Sequence, residues 1–394
     1  MKEIEVVPTE ALDRYLKLTA IPGPSGKEKQ VAQAIVDELI AAGLDPSQIS
    51  YDGAESRTRL KGDCGNLIVQ LPGSGSGPRT MLSAHMDTVP ICVGSDPFVD
   101  GDQVHSRGAT GLGADDRSGC AAILTAAITR LRAGDHQFPP AVIVFFIQEE
   151  VGLQGACHLD IAKIGSVDRA FNFDGGPLDK VTMGAIGGER MEIKLTGIPA
   201  HAGVAPENGA SAIVMAAKAI AQLDATGWHG KVEQPIGVGT ANVGVIQGGD
   251  ATNVVTPEVN LRAEARSHTP AVRSRIVAEI RAAFENAAAS VSNAAGKTGH
   301  CEFNSHVDYE AFELPSDDPS ILALESALRS IGREPYQRLA GGGLDANWLN
   351  VHGIASVTVG CGQMNIHTAD ERLHIPDFQD ACRIATMLIC EPRR

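Results

Sequence analysis

A chain of 394 residues, 43% apolar and 21% charged, is ordinary for a soluble globular protein and long enough for two cores. Its 33 basic and 48 acidic residues leave a formal charge of −15, which repels phosphate backbones and anionic lipids. Nucleic-acid and membrane partners are therefore not expected.

The opening MKEIEVVPTEALDRYLKL has no apolar run of signal-peptide length, and no later stretch reaches the ~20 residues of a bilayer span. Apolar residues recur at helical spacing over 9–19 and 26–43, with the breaker IPGPSG between them. Short apolar or β-branched runs read as strands at 66–71, 79–85, 141–147 and 169–173, and RSGCAAILTAAITRLRA (117–133) reads as a helix. Alternating strands and helices predict an α/β layer on a mixed, largely parallel sheet flanked by helices.

The pattern changes near Gly187 and Gly188. MEIKLTG (191–197) alternates like a half-exposed strand, GASAIVMAAKAIAQL (209–223) is an amphipathic helix, and ANVGVIQGG and VVTPEVNLRAEAR are further strands. A helix over about 271–290 and a polar strand near 300–310 complete a small α+β domain. A helix (319–331), the strand IASVTVG (354–360) and a last helix (376–390) then resume the first pattern. The expected division is one discontinuous domain, 1–186 plus 313–394, with 187–312 inserted. Eight scattered cysteines without a CxxC pair read as mostly buried thiols in a reducing compartment, hence a cytoplasmic protein.

Five segments place acids or histidines at predicted strand ends, where open α/β sheets carry their sites. SAHMDTVP holds His85 and Asp87, which share a side, so His85 can bind a metal while Asp87 fixes its tautomer. GLGADDRSG holds Asp115 and Asp116 on a turn entering a helix; one carboxylate can bridge two cations, or simply cap the helix. FFIQEEVGLQGA ends a very apolar strand with Glu149 and Glu150, a costly pair without a compensating cation or proton. FNFDGG supplies Asp174, and CGQMNIHTADERL supplies His367. Any one segment has a plain structural reading; all five at successive strand ends do not. Besides Asp87 and Glu149 they provide two imidazoles and three carboxylates, a set that suits Zn²⁺ and admits Mn²⁺ or Co²⁺.

HMDTV, GADDRSG, EEVGLQGA, FDGG, HAG and the late His367 resemble, in order over about 18–372, the signature series of the dinuclear zinc peptidases. That family includes peptidase T, glutamate carboxypeptidase, aminoacylase and succinyl-diaminopimelate desuccinylase, and GATGLGADDRSG with FDGG is most similar to the peptidase T branch. The resemblance implies that His85 and Asp174 bind one zinc, Glu150 and His367 the other, and that Asp115 rather than Asp116 bridges them. It implies that Asp87 orients His85, that Glu149 is the general base, and that His201 in GIPAHAG polarises the scissile carbonyl. Asn253 and Arg266 match positions that contact substrate, and the planar fork of Arg266 suits a carboxylate. Asp345 and Asn347 in GGGLDANWL resemble a loop near the substrate. The implied activity is zinc-dependent hydrolysis of short peptides, releasing the N-terminal residue of a tripeptide, with the inserted domain as a lid and a homodimer surface. An amidohydrolase of the same architecture acting on N-acyl amino acids or dipeptides, or a non-catalytic binding protein, are the alternatives.

Overall fold

In the strand Ala141–Phe146 all six residues are buried, which is why AVIVFF runs apolar without alternating: both of its faces are covered. Val142, Val144 and Phe146 share one cluster with Ile68, Met81, Ala170, Leu349 and Ile354. The computed structural model in which this strand sits describes residues 5–134 and 137–390. Its contacts resolve two units, one up to Ala185 and again from Glu313 onward, the other Ile186–Phe312.

The larger unit is built on a mixed sheet in the order Ile49–Tyr51, Leu67–Leu71, Ala141–Phe146, Thr80–His85, Arg169–Gly175, Ser356–Gly360, Lys180–Ala185. Thr80–His85 pairs in parallel with Ala141–Phe146 on one side and Arg169–Gly175 on the other, and Ser356–Gly360 continues that parallel core. Leu67–Leu71 joins antiparallel, and Tyr336–Ala340 runs parallel beside Lys180–Ala185. The carboxyl ends of the central strands thus deliver His85, the segment after Phe146, and Asp174 to the same edge.

The helix Ala114–Ala133 is buried along most of its length, as expected of a segment apolar on every side, and stops at Gly134 in the left-handed region (φ 65°). Gly119 lies on its first turn. A β-carbon there would land on the Phe173 carbonyl oxygen and within 2.5 Å of Asp116 Oδ1, so only glycine lets the helix approach the strand that carries Asp174.

Periodicity missed the short pieces. Pro97–Asp100, Gln103–Ser106, Gln363–Met364 and Arg372–His374 form a small antiparallel sheet, each strand too brief and polar to show a period. Lys180–Ala185 and Tyr336–Ala340 were likewise not expected.

The smaller unit is a five-stranded antiparallel sheet, Gly230–Gln234, Gly237–Gly248, Glu258–Ser267, Gly187–Thr196 and His300–Tyr309 in spatial order. The helices Ala212–Ala225 and Pro270–Ser290 share its core, with Met215, Ala219, Ile276, Ile280 and Phe284 meeting Ile193, Leu195, Leu261 and Ala265. Gly187–Thr196 alternates from Arg190 on, buried residues toward the helices and the rest outward. Glu258–Ser267 starts later than VVTPEVNLRAEAR implied, because Pro257 cannot donate to a ladder.

Among the described residues no helix is long and apolar enough to cross a membrane. The eight cysteines are free thiols, five of them buried.

Candidate metal centre

His85 closes its strand with 1% of its side chain exposed. Its Nδ1 lies 3.0 Å from the Asp87 backbone carbonyl and 3.4 Å from Asp87 Oδ1. A carbonyl only accepts, so Nδ1 carries the hydrogen and the Nε2 lone pair faces outward from that contact. Nε2 is 3.1 Å from Asp115 Oδ1 and 3.7 Å from Asp174 Oδ1. The tautomer is therefore fixed chiefly by the main chain of Asp87, with its carboxylate slightly farther away.

The Asp87 carboxylate, wholly buried, has further work. Oδ1 accepts from the Glu149 N–H (2.9 Å), and Oδ2 accepts from Ser25 Oγ (2.7 Å) and the Glu150 N–H (3.2 Å). Burial pushes its pKa up, but His85, Ser25 and the Glu149 N–H outweigh burial and hold it below the usual value.

The two adjacent aspartates diverge. Asp115 offers Oδ1 to His85 and Oδ2, at 3.1 Å, to Nε2 of His367. Asp116 turns away: Oδ1 accepts from the Gly119 N–H (3.0 Å) and from Gln363 Nε2 (2.9 Å), and Oδ2 from the His85 N–H (3.1 Å). It caps the helix, whose regular turns begin only after the non-helical angles of Asp115 and Asp116. The peptide between them is cis.

His367 sits at φ +63° in the loop after Gln363–Met364, in the left-handed region that a β-carbon disfavours. Its Nε2 is also 3.0 Å from Glu150 Oε1. Asp115 and then Glu150 raise its pKa to about 10. Two carboxylates from distant segments thus meet at one imidazole.

Glu371, four residues beyond His367, is buried. Its Oε1 accepts from the Asp115 N–H (3.0 Å), while Oε2 accepts from the Gly113 N–H (2.7 Å) and from Cys92 Sγ (3.3 Å). It clamps the turn that presents Asp115. No sequence signal marks it, because its partners, two main-chain N–H groups and the Cys92 thiol, lie more than 250 residues away.

Burial raises Asp174, Asp116 and Glu149 well above the usual carboxylate range, and neighbouring carboxylates push each further, with His85 opposing. Glu150 is raised for the same first reason. Such a cluster keeps its protons unless positive charge enters with it, a demand that divalent cations meet. Ligand atoms of His85, Asp115 and Glu150 lie within 4.8 Å of one another, as do those of His85, Asp116 and Asp174. Two imidazoles with carboxylates fit Zn²⁺, Mn²⁺ or Co²⁺.

Of the remaining expected residues, two lie on the helix Asp345–Val351 and three in the smaller unit. Asp345 opens the helix Asp345–Val351 and is wholly buried, with both carboxylate oxygens lacking a hydrogen-bond partner. Burial first, then Asp87 and Glu150, lift it to about 8. Asn347 is also buried, and its Oδ1 accepts the Leu344 N–H (2.8 Å), so it caps its helix. In the smaller unit His201 is exposed and bridges to Val254, and the Ala202 N–H donates to the Asn253 carbonyl (2.9 Å), which joins those two loops. The Arg266 fork lies on Glu264 through Nε (3.1 Å) and Nη2 (3.0 Å).

Residues 81–391 match the peptidase family M20/M25/M40. The uncharacterized protein YqjE of Bacillus subtilis is 32% identical over 386 residues, covering 96% of this chain and 97% of its own. The crystal structure of a tripeptidase from Staphylococcus aureus superposes with a TM-score of 0.87 at 30% identity, over 98% of both chains. That of aminopeptidase PepT from Bacillus cereus gives 0.84 at 29% identity, again over 98% of both.

Proposed function

The chain belongs to the peptidase family M20/M25/M40, and from that premise we propose that it is a two-zinc aminopeptidase releasing the N-terminal residue of tripeptides. The observation that carries this reading is Asp115, whose two oxygens each stand 3.1 Å from a different histidine, His85 and His367. Asp174 beside His85 and Glu150 beside His367 complete a symmetric donor set with Asp115 at its middle. The names of the two structural relatives, a tripeptidase and an aminopeptidase, support short peptides as substrates.

In this reading His85 and Asp174 hold one cation, Glu150 and His367 the other, and Asp115 both. Bound there, the cations supply Lewis acidity that polarises a peptide carbonyl and acidifies a water. Asp87 holds the His85 ring in its Nδ1–H form and, through the Glu149 and Glu150 N–H groups, fixes the segment carrying the base. Glu149 takes the proton of the attacking water and returns it to the leaving amine. The domain over 1–186 and 313–394 carries this chemistry. The 187–312 domain acts as a lid that brings His201 to the carbonyl oxygen and Asn253 and Arg266 to the substrate, which requires Arg266 to exchange Glu264 for a substrate carboxylate. Its sheet leaves Gly230–Gln234 and His300–Tyr309 as edges, and we assign it a homodimer contact. Free thiols throughout support a reducing, cytoplasmic setting.

A substrate panel tests the reading. Zinc-loaded protein should cleave tripeptides faster than dipeptides or N-acetyl amino acids, with the free N-terminal residue as first product. Preference for an acylated substrate would replace the aminopeptidase by an amidohydrolase, and no hydrolysis of any member would leave a binding protein.

A further inference from the structure

A second group of donors shares no residue with that centre. One carboxylate oxygen each from Glu28 and Asp63 and the Cys64 sulfur lie within 4.8 Å of one another. Ligands at about 2.0–2.3 Å from a tetrahedral ion sit roughly 3.5 Å apart, so closure asks for shifts on the order of 1 Å.

Two fully buried side chains with unpartnered polar atoms converge on the same place. Glu28 Oε1 accepts the N–H groups of Gly26 (2.7 Å) and Gln148 (3.1 Å), but its Oε2 is buried without a partner. In Gln148 neither amide atom has a partner, and its Nε2 lies 2.9 Å from where a Gly62 β-carbon would stand, against the backbone next to Asp63. Asp63 Oδ1 takes the Lys29 N–H at 3.1 Å, so the loop is already docked on the helix start. A buried water would satisfy the orphan oxygens. It would leave unexplained why a thiol and two carboxylates share one small volume.

We propose that Glu28, Asp63 and Cys64 bind a further divalent cation of the zinc type, with the Gln148 amide oxygen as fourth donor. The thiolate selects zinc-like over magnesium-like ions. Binding breaks the Cys64 S–H bond, releases that proton to water and forms the sulfur–metal bond, with no change of oxidation state. Burial, then the Glu28 and Asp63 carboxylates, push the thiol pKa up, so only an ion of opposite charge makes the thiolate stable there. The ion staples the 62–64 loop to the Lys29–Ala41 helix and to the residue preceding Glu149. Its role is structural.

Cobalt alone, titrated into full-length chelator-stripped protein, tests this. The other centre has no thiol, so thiolate-to-cobalt charge-transfer absorption reports the Cys64 site only. The parent should show the band, and Cys64→Ser should lose it together with one bound cobalt. Asp63→Asn, at an exposed position that spares the fold, should shift the band to cobalt concentrations at least about tenfold higher. Absence of the band in the parent, its survival in Cys64→Ser, or no shift in Asp63→Asn overturns the site.

Discussion

Asp115 and Asp116 are neighbours in sequence with opposite tasks, and the hydrogen bonds separate them. Asp116 is used up on the Gly119 and His85 N–H groups and on Gln363, whereas both Asp115 oxygens face imidazoles. The sequence offered both readings, ligand and helix cap; the hydrogen bonds make Asp116 the cap, and the ligand role is the one proposed for Asp115. The same separation of tasks predicts contrasting variants. In the proposed reading Glu149 carries a proton and is not a ligand, so in Glu149→Ala bound metal should stay at the parent level while turnover falls about 10²–10⁴-fold. In the same reading His367 is a ligand, so in His367→Ala metal content should drop, and turnover with it. Metal analysis beside kinetics checks both; metal loss in the first or full occupancy in the second reverses the assignments. Glu371→Gln should lower metal affinity by about 10–100-fold without touching substrate, because it weakens the clamp on the Asp115 N–H.

Long elements with a clear period or a continuous apolar run were legible because burial imposes the pattern: AVIVFF on two covered faces, CAAILTAAI on a helix enclosed on all sides. The strands of two to six residues at sheet margins were not, since their pairing depends on partners far along the chain rather than on their own residues. Asp345 and Asn347 show the same limit, since a short acid or amide in a Gly-rich loop gives no sign of being buried. Gly119 tests how tightly one element fixes another. Helix propensity alone would favour Gly119→Ala by about 1 kcal/mol. The added methyl, however, meets the Phe173 carbonyl and the Asp116 carboxylate, neither of which can move without shifting the Asp174 strand or the helix cap. Overpacking should win, with a net loss of about 1–3 kcal/mol in urea unfolding and weaker metal binding. A gain in stability would mean that the helix stands farther from the strand than described.

At the scale of the whole molecule, every donor of the proposed two-metal centre belongs to the larger unit, though these donors span residues 85 to 367. The five segments that carry them are held together on one side by the sheet and its helices. Opposing this, several carboxylates are buried close together: burial first, then the charge of neighbouring carboxylates, raises Asp174, Asp116 and Glu149 above the usual range. Cations that bind the folded unit and not the unfolded chain stabilise it by linkage, about 2.7 kcal/mol for each site at a hundred times its dissociation constant. The smaller unit has its own core of Met215, Ile276, Phe284 and their partners, and contributes no donor to this set. Chelation should therefore speed amide exchange at the ends of Thr80–His85, Ala141–Phe146 and Arg169–Gly175, and leave Gly187–Thr196 and Glu258–Ser267 unchanged. Hydrogen exchange read by mass spectrometry, with and without chelator, separates the two. Equal deprotection of both units would show that the metals act on the fold as a whole, and no deprotection of the three strand ends would place the ions elsewhere.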